Sequence, residues 1–104
     1  MRVLEALVGD EPEVIDEFLR DFRISAGHAA QRMRAACRGR QTGAVEAVAH
    51  SLKSSARSVG ALALGELCER LEAAAQAGRA DTLDELWPRF EAEMAAVDTF
   101  LEAQ

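Results

Sequence analysis

The sequence has no tyrosine, one tryptophan and two prolines, and aromatic residues make up only 5% of its 104 positions. What it has in abundance is Ala, Glu, Leu and Arg, a composition that disfavours sheet and favours helix. Basic residues are scarce: 12 Lys and Arg stand against 18 Asp and Glu, for a net charge of −6. That balance argues against nucleic acid or an anionic membrane as the main partner, since both demand a basic face. No apolar run approaches the roughly 18 residues of a membrane helix, and no signal peptide is visible. The expectation is a cytoplasmic chain without direct membrane contact. The two cysteines, Cys37 and Cys68, lack CxxC spacing and any companion His cluster. They are read as reduced core thiols, with no metal site.

At 49% hydrophobic and 29% charged, the chain can bury a core, and its length fits one domain over residues 1–104. Residues 3–8 suggest a short helical turn ending at Gly9. Asp10 then reads as an N-cap, with Pro12 in the first turn and Glu13 at capping-box spacing. From there to about Arg38 the apolar residues Val14, Ile15, Phe18, Leu19, Phe22, Ala26, Ala29, Met33 and Cys37 define one helical face. Gly39 stops that helix.

A second helix is expected from near Thr42 to Val59, with Val45, Val48, Ala49, Leu52, Ala56 and Val59 inward, broken at Gly60. A third carries Leu62, Leu64, Leu67, Cys68 and Leu71 and ends near Gly78. Asp81 or Thr82 caps a fourth, which carries Leu83, Leu86, Phe90, Met94, Val97, Phe100 and Leu101. Pro88 inside it predicts a kink or a late start, and Trp87 is read as core or bundle-end packing. The predicted fold is all-α: an antiparallel up-down-up-down four-helix bundle with a short extra N-terminal helical turn.

The informative segment is His50-Ser-Leu-Lys-Ser-Ser-Ala-Arg-Ser-Val-Gly60. On a helix His50 falls about 150° from the centre of the apolar stripe, so it faces outward. By periodicity alone it is an ordinary surface histidine; its neighbours set it apart. An imidazole with a pKa near 6.5 is a mostly neutral nucleophile at cytosolic pH. Lys53, one turn away and read as exposed, would keep the ring neutral. With Arg57 it would neutralise a phosphoryl group placed there. Ser54 is small and leaves room for a large partner. His28 on the first helix lacks such neighbours and is read as a plain surface histidine. Ile24 lies off its helix's apolar stripe and is assigned, with Ser51, to partner docking.

The pattern His50-x-Leu-Lys-Ser-Ser-Ala-x-x-x-Gly60-Ala61-x-x-Leu64-x-x-x-Cys68-x-x-Leu71-Glu72 closely resembles the motif of histidine-containing phosphotransfer (Hpt) domains. Leu7-Val-Gly-Asp-Glu-Pro-Glu-Val-Ile-Asp-Glu-Phe-Leu-Arg-Asp-Phe22 resembles the opening of Hpt domains at the C-terminus of hybrid sensor kinases. The resemblance implies a monomeric bundle that exchanges phosphoryl groups with response-regulator receiver domains in a phosphorelay. It makes His50 the phosphorylated nucleophile, Lys53 its lysine neighbour and Gly60 the structural glycine of the helix junction. Ser54 stands where the family usually has glycine. Glu72 stands where several members carry glutamine; it either accepts a hydrogen bond from the ring or is a plain surface residue.

No cofactor of its own is expected, and Mg²⁺ is assigned to the partner receiver. With no glycine-rich nucleotide loop, the chain is read as a phosphotransfer intermediate rather than an enzyme acting on ATP. Two other readings stand beside this one: a non-catalytic helical adaptor, and the phosphotransfer domain of a chemotaxis-type kinase. Met1-Arg2-Val3 is compatible with a free-standing protein or an excised domain.

Overall fold

The computed structural model describes residues 12–103. The turn read over residues 3–8, Gly9 and the Asp10 cap lie outside them. Four helices follow in order: α1 Pro12–Arg38, α2 Thr42–Ser58, α3 Leu62–Gln76 and α4 Ala80–Glu102. Each packs on its neighbours in the chain, and α1 closes the ring against α4. With extents of 44 × 20 × 17 Å the molecule is two helix diameters across and one long helix tall. This is the predicted up-down-up-down bundle, and the described residues contain no strand.

The inward stripes form one core. Met33 of α1, Val45, Ala49 and Ala56 of α2, Leu64, Cys68 and Leu71 of α3 and Phe90 of α4 are almost fully buried. Alanines at 49 and 56 let α2 and α3 approach closely, and these two form the most extensive helix pair. Trp87 stacks on Phe90 with ring centroids 5.6 Å apart, at the edge of the core. Burial pushes the Cys68 thiol up to about 12, so it stays protonated at neutral pH. Both cysteines are free.

Three details depart from expectation. Val14, Phe18, Leu62 and Phe100, assigned to inward stripes, are large apolar residues left exposed. Val14 and Leu62 stand in the first turns of their helices and Phe100 in the last turn of α4, where fewer neighbours can cover a side chain. Next, α4 does not start late: it begins at Ala80, with Arg79 rather than Asp81 or Thr82 at the N-cap, and runs on through Pro88. Pro88 and Asp84 are both exposed, and Pro88 has no N–H to give the Asp84 carbonyl one turn back.

The third concerns the end of α1, which stops before Gly39 as expected, although Gly39 itself is not the left-handed residue. The left-handed residue that ends α1 is Arg40, with φ of 53°. The three interhelical turns share one closure. Arg40, Gly60 and Gly78 each take positive φ. Their amides bond the carbonyls of Cys37, Arg57 and Ala75, and the next amides, of Gln41, Ala61 and Arg79, bond those of Ala36, Ala56 and Ala74. This is the Schellman pattern. Its last residue then serves as N-cap of the following helix, with no side-chain cap bond. Only Arg40 carries a Cβ into that geometry, which costs a non-glycine residue about 1 kcal/mol or more. Arg40→Gly is expected to stabilise the bundle by about 0.5–1 kcal/mol, the gain being reduced by glycine's freedom in the unfolded chain. A higher urea midpoint at unchanged slope checks it.

Candidate phosphotransfer site

The α2–α3 turn sets the register of the site. Because Gly60 reverses the chain in three residues, α3 runs back beside α2 in step with it. Cross-helix pairs then follow along the seam: Arg57 with Glu69, Lys53 and His50 with Glu72, and Gln76 with Glu46. The middle rung is the candidate site.

Glu72 is its hub. One carboxylate oxygen, Oε1, accepts a hydrogen bond from Lys53 Nζ at 2.6 Å, and the other, Oε2, lies 2.7 Å from His50 Nδ1. Side-chain exposure is 13% for Glu72, 16% for Lys53 and 67% for His50, so two covered charges hold an open ring. The Lys53 ammonium, and after it the bond to His50, holds the Glu72 carboxyl below its ordinary pKa, against a desolvation effect of opposite sign. An ionised carboxylate has no proton to give, so Nδ1 must be the donor. In a neutral ring the lone pair then sits on Nε2, the nitrogen turned away from Glu72.

The residues singled out from the sequence divide accordingly. His50 faces solvent as expected. Glu72 is no plain surface residue; it accepts the ring's hydrogen bond. Lys53, read as exposed, is mostly covered, because its stem lies across the α2–α3 seam to reach Glu72. Arg57 does not join the rung. Its guanidinium donates to Glu69 at 3.0 Å, one helical turn before the site glutamate on α3, toward the α2–α3 turn. Ser54, Ser55 and Ser58 fold their hydroxyls back onto the carbonyls of His50, Ser51 and Ser54, at 3.5, 3.3 and 3.0 Å. The surface around the ring is therefore low, as the small residue at 54 suggested. Gly60 closes the turn.

Beside this face runs a groove between α1 and α2, lined by Phe18, Asp21, Phe22, Ser25, Ser55 and Ser58. Ile24 is 56% exposed and borders a second hollow with Asp21, Ser25, His28 and Arg32. Ser51 is exposed. Among the described residues no group of three His, Cys, Asp or Glu side chains is placed to hold a metal ion. No helix among them is long and apolar enough to cross a membrane. Glu69 and Gly65, which hold Arg57, went unread in the sequence; counting the register outward from Gly60 would have found Glu69.

A helical bundle that displays one oriented imidazole is the architecture of a phosphotransfer module, and the family comparison agrees. The model of the Hpt domain family matches residues 17–100; the chain belongs to that family, and its role is histidine phosphotransfer in phosphorelay signalling. Among solved structures, histidine-containing phosphotransfer protein B from Pseudomonas aeruginosa PAO1 is similar at a TM-score of 0.90 and 25% sequence identity. That similarity covers 98% of this chain and 89% of the other. No curated protein matches the sequence.

Proposed function

We propose that His50 is the residue that takes and returns the phosphoryl group. The observation that carries this is the 2.7 Å contact of Nδ1 with Glu72, which leaves Nε2 as the free nucleophile on a ring open to solvent. In the step, the Nε2 lone pair attacks the phosphorus of a receiver's aspartyl phosphate. The P–O bond to the aspartate breaks, and its electron pair leaves with the carboxylate. The ring keeps its Nδ1 proton and becomes cationic, and the Glu72 carboxylate stabilises that charge. Onward transfer reverses the step on a second receiver: the N–P bond breaks and the pair returns to Nε2. Such transfer is mainly a matter of positioning and charge stabilisation.

The receiver supplies the Mg²⁺ and its carboxylate ligands, and the phosphate comes from the receiver rather than from ATP. The apolar groove of α1 and α2, with Ile24 and Ser51 near it, supports docking on the His50 side. The module acts as a monomer in the cytoplasm. The resemblance of Leu7–Phe22 to hybrid-kinase Hpt domains supports a receiver of such a kinase as donor.

The test is transfer from a panel of receivers phosphorylated by acetyl phosphate. An acid-labile, base-stable phosphate on this chain is the expected product; failure of every receiver to charge the folded protein would overturn the reading. Lys53→Met keeps the stem but removes the charge from Glu72. It is expected to slow transfer by about threefold to tenfold and to lower stability by about 1 kcal/mol, since the lysine is largely covered. Stopped-flow transfer and urea unfolding measure the two effects separately.

A further inference from the structure

Arg57 is placed with more care than a surface arginine needs. Residue 65, inside α3 and buried, is glycine, which weakens a helix by about 1 kcal/mol relative to alanine. A Cβ there would come within 3.1 Å of Arg57 Cγ and 3.5 Å of Arg57 Nε. The missing methyl is the space in which the arginine stem lies. Glu69 then fixes the guanidinium at 3.0 Å. Seven residues from His50, Arg57 lies in line with it on α2 and about 10 Å along the axis. Glu69 holds the guanidinium one turn of α3 away from the Glu72 rung that carries His50.

The charge distribution indicates what such a residue meets. Helices α1 and α2 carry seven Lys and Arg against five Asp and Glu, whereas α3 and α4 carry two against ten. The acidic charge is thus gathered on one side of the bundle. Among the described residues α1 and α2 form the least acidic flank for an acidic partner, although Arg23 and Arg34 are paired with carboxylates of α4; Arg57 stands at the border of that flank, on the seam with α3. A domain that holds Mg²⁺ and an aspartyl phosphate presents clustered carboxylates around its own site.

We propose that Arg57, positioned by Gly65 and Glu69, is a docking residue for the acidic rim of the receiver and takes no part in the phosphoryl step. The inference rests on the phosphorelay reading above. Rim charges act mainly on encounter and on its salt dependence. Arg57→Ala is therefore expected to raise KM for the phosphorylated receiver by about three- to fivefold and to flatten its salt dependence, leaving kcat and the urea midpoint unchanged.

Gly65→Ala provides the positional test. It removes a helix-interior glycine, so it does not destabilise if the exposed stem shifts by a few tenths of an ångström. It is expected to raise KM in the parent and to have no effect in the Arg57→Ala background. Arg57→Lys should restore the salt dependence. The receiver used is the one that charges the parent fastest after treatment with acetyl phosphate. An unchanged KM for Arg57→Ala overturns the proposal, as does a fall in kcat at constant KM, which would place Arg57 on the phosphoryl group. If the parent itself is charged by no receiver, the phosphorelay reading fails, a result distinct from either.

Discussion

His50→Gln is expected to abolish phosphoryl acceptance and to leave the helical circular dichroism spectrum and the urea midpoint nearly unchanged. The side chain is 67% exposed, so little packing is lost. Glutamine can still donate an amide N–H to Glu72, so the covered Lys53–Glu72 pair keeps a partner on its open side. What disappears is the nitrogen lone pair. No other side chain can replace it: His28 is exposed on α1, but no carboxylate is bonded to its ring to orient it. Radiolabel retained on the variant after incubation with a phosphorylated receiver would remove His50 from its assigned role.

Glu72→Gln is expected to slow acceptance by about threefold to tenfold, the loss of roughly 1 kcal/mol of charge stabilisation on the ring. The amide is neutral and has one acceptor oxygen in place of two. Lys53 and His50, which each have an oxygen of the carboxylate, would have to share that one, and the amide offers no charge to the phosphorylated, cationic ring. Where Lys53 takes that oxygen, the amide NH2 faces the ring and Nδ1 is no longer held as the donor. Single-turnover rates at saturating receiver measure this, and a variant as fast as the parent would show that Glu72 is dispensable.

The same substitution carries a pH signature. The carboxyl of Glu72 is held below its ordinary value of 4.5, chiefly by Lys53 and then by His50. A depressed folded pKa contributes stability that is fully present above the unfolded value and is lost as pH falls through the folded one. The stability gap between parent and Glu72→Gln should therefore be constant at neutral pH and shrink below about 4.5. Urea midpoints taken at intervals of pH provide the check; a gap that does not narrow on acidification would mean that the ionised carboxylate adds nothing.

Much of this was legible before any coordinates. Four stripes of period 3.6 fixed the number of helices and placed the glycine breaks at 60 and 78, because amphipathic periodicity and positive φ are properties of local sequence. The outward direction of His50 followed from the same rotation. Partners across helices were less legible. Lys53 and Arg57 look alike on α2, and one enters the site while the other does not. The difference lies on α3, where Glu72 meets the first and Glu69 and Gly65 capture the second. Arg40 was missed for a related reason: a glycine stands beside it, and the left-handed residue is decided by where the last helical hydrogen bonds close. Val14 and Leu62 read as inward because periodicity records angle around a helix and not height along the bundle.

The turn between α2 and α3 has a consequence for how such a site can change. Its closing residue is also the opening residue of the next helix, so the connection has no slack. One residue added there would rotate everything downstream by about 100° unless the turn were rebuilt. Glu72 would then point away from His50 although neither residue had changed. Insertions and deletions at this corner act on the chemistry as directly as substitutions in the site do. The corner works as a phase setting, and the histidine and the glutamate are tuned to it.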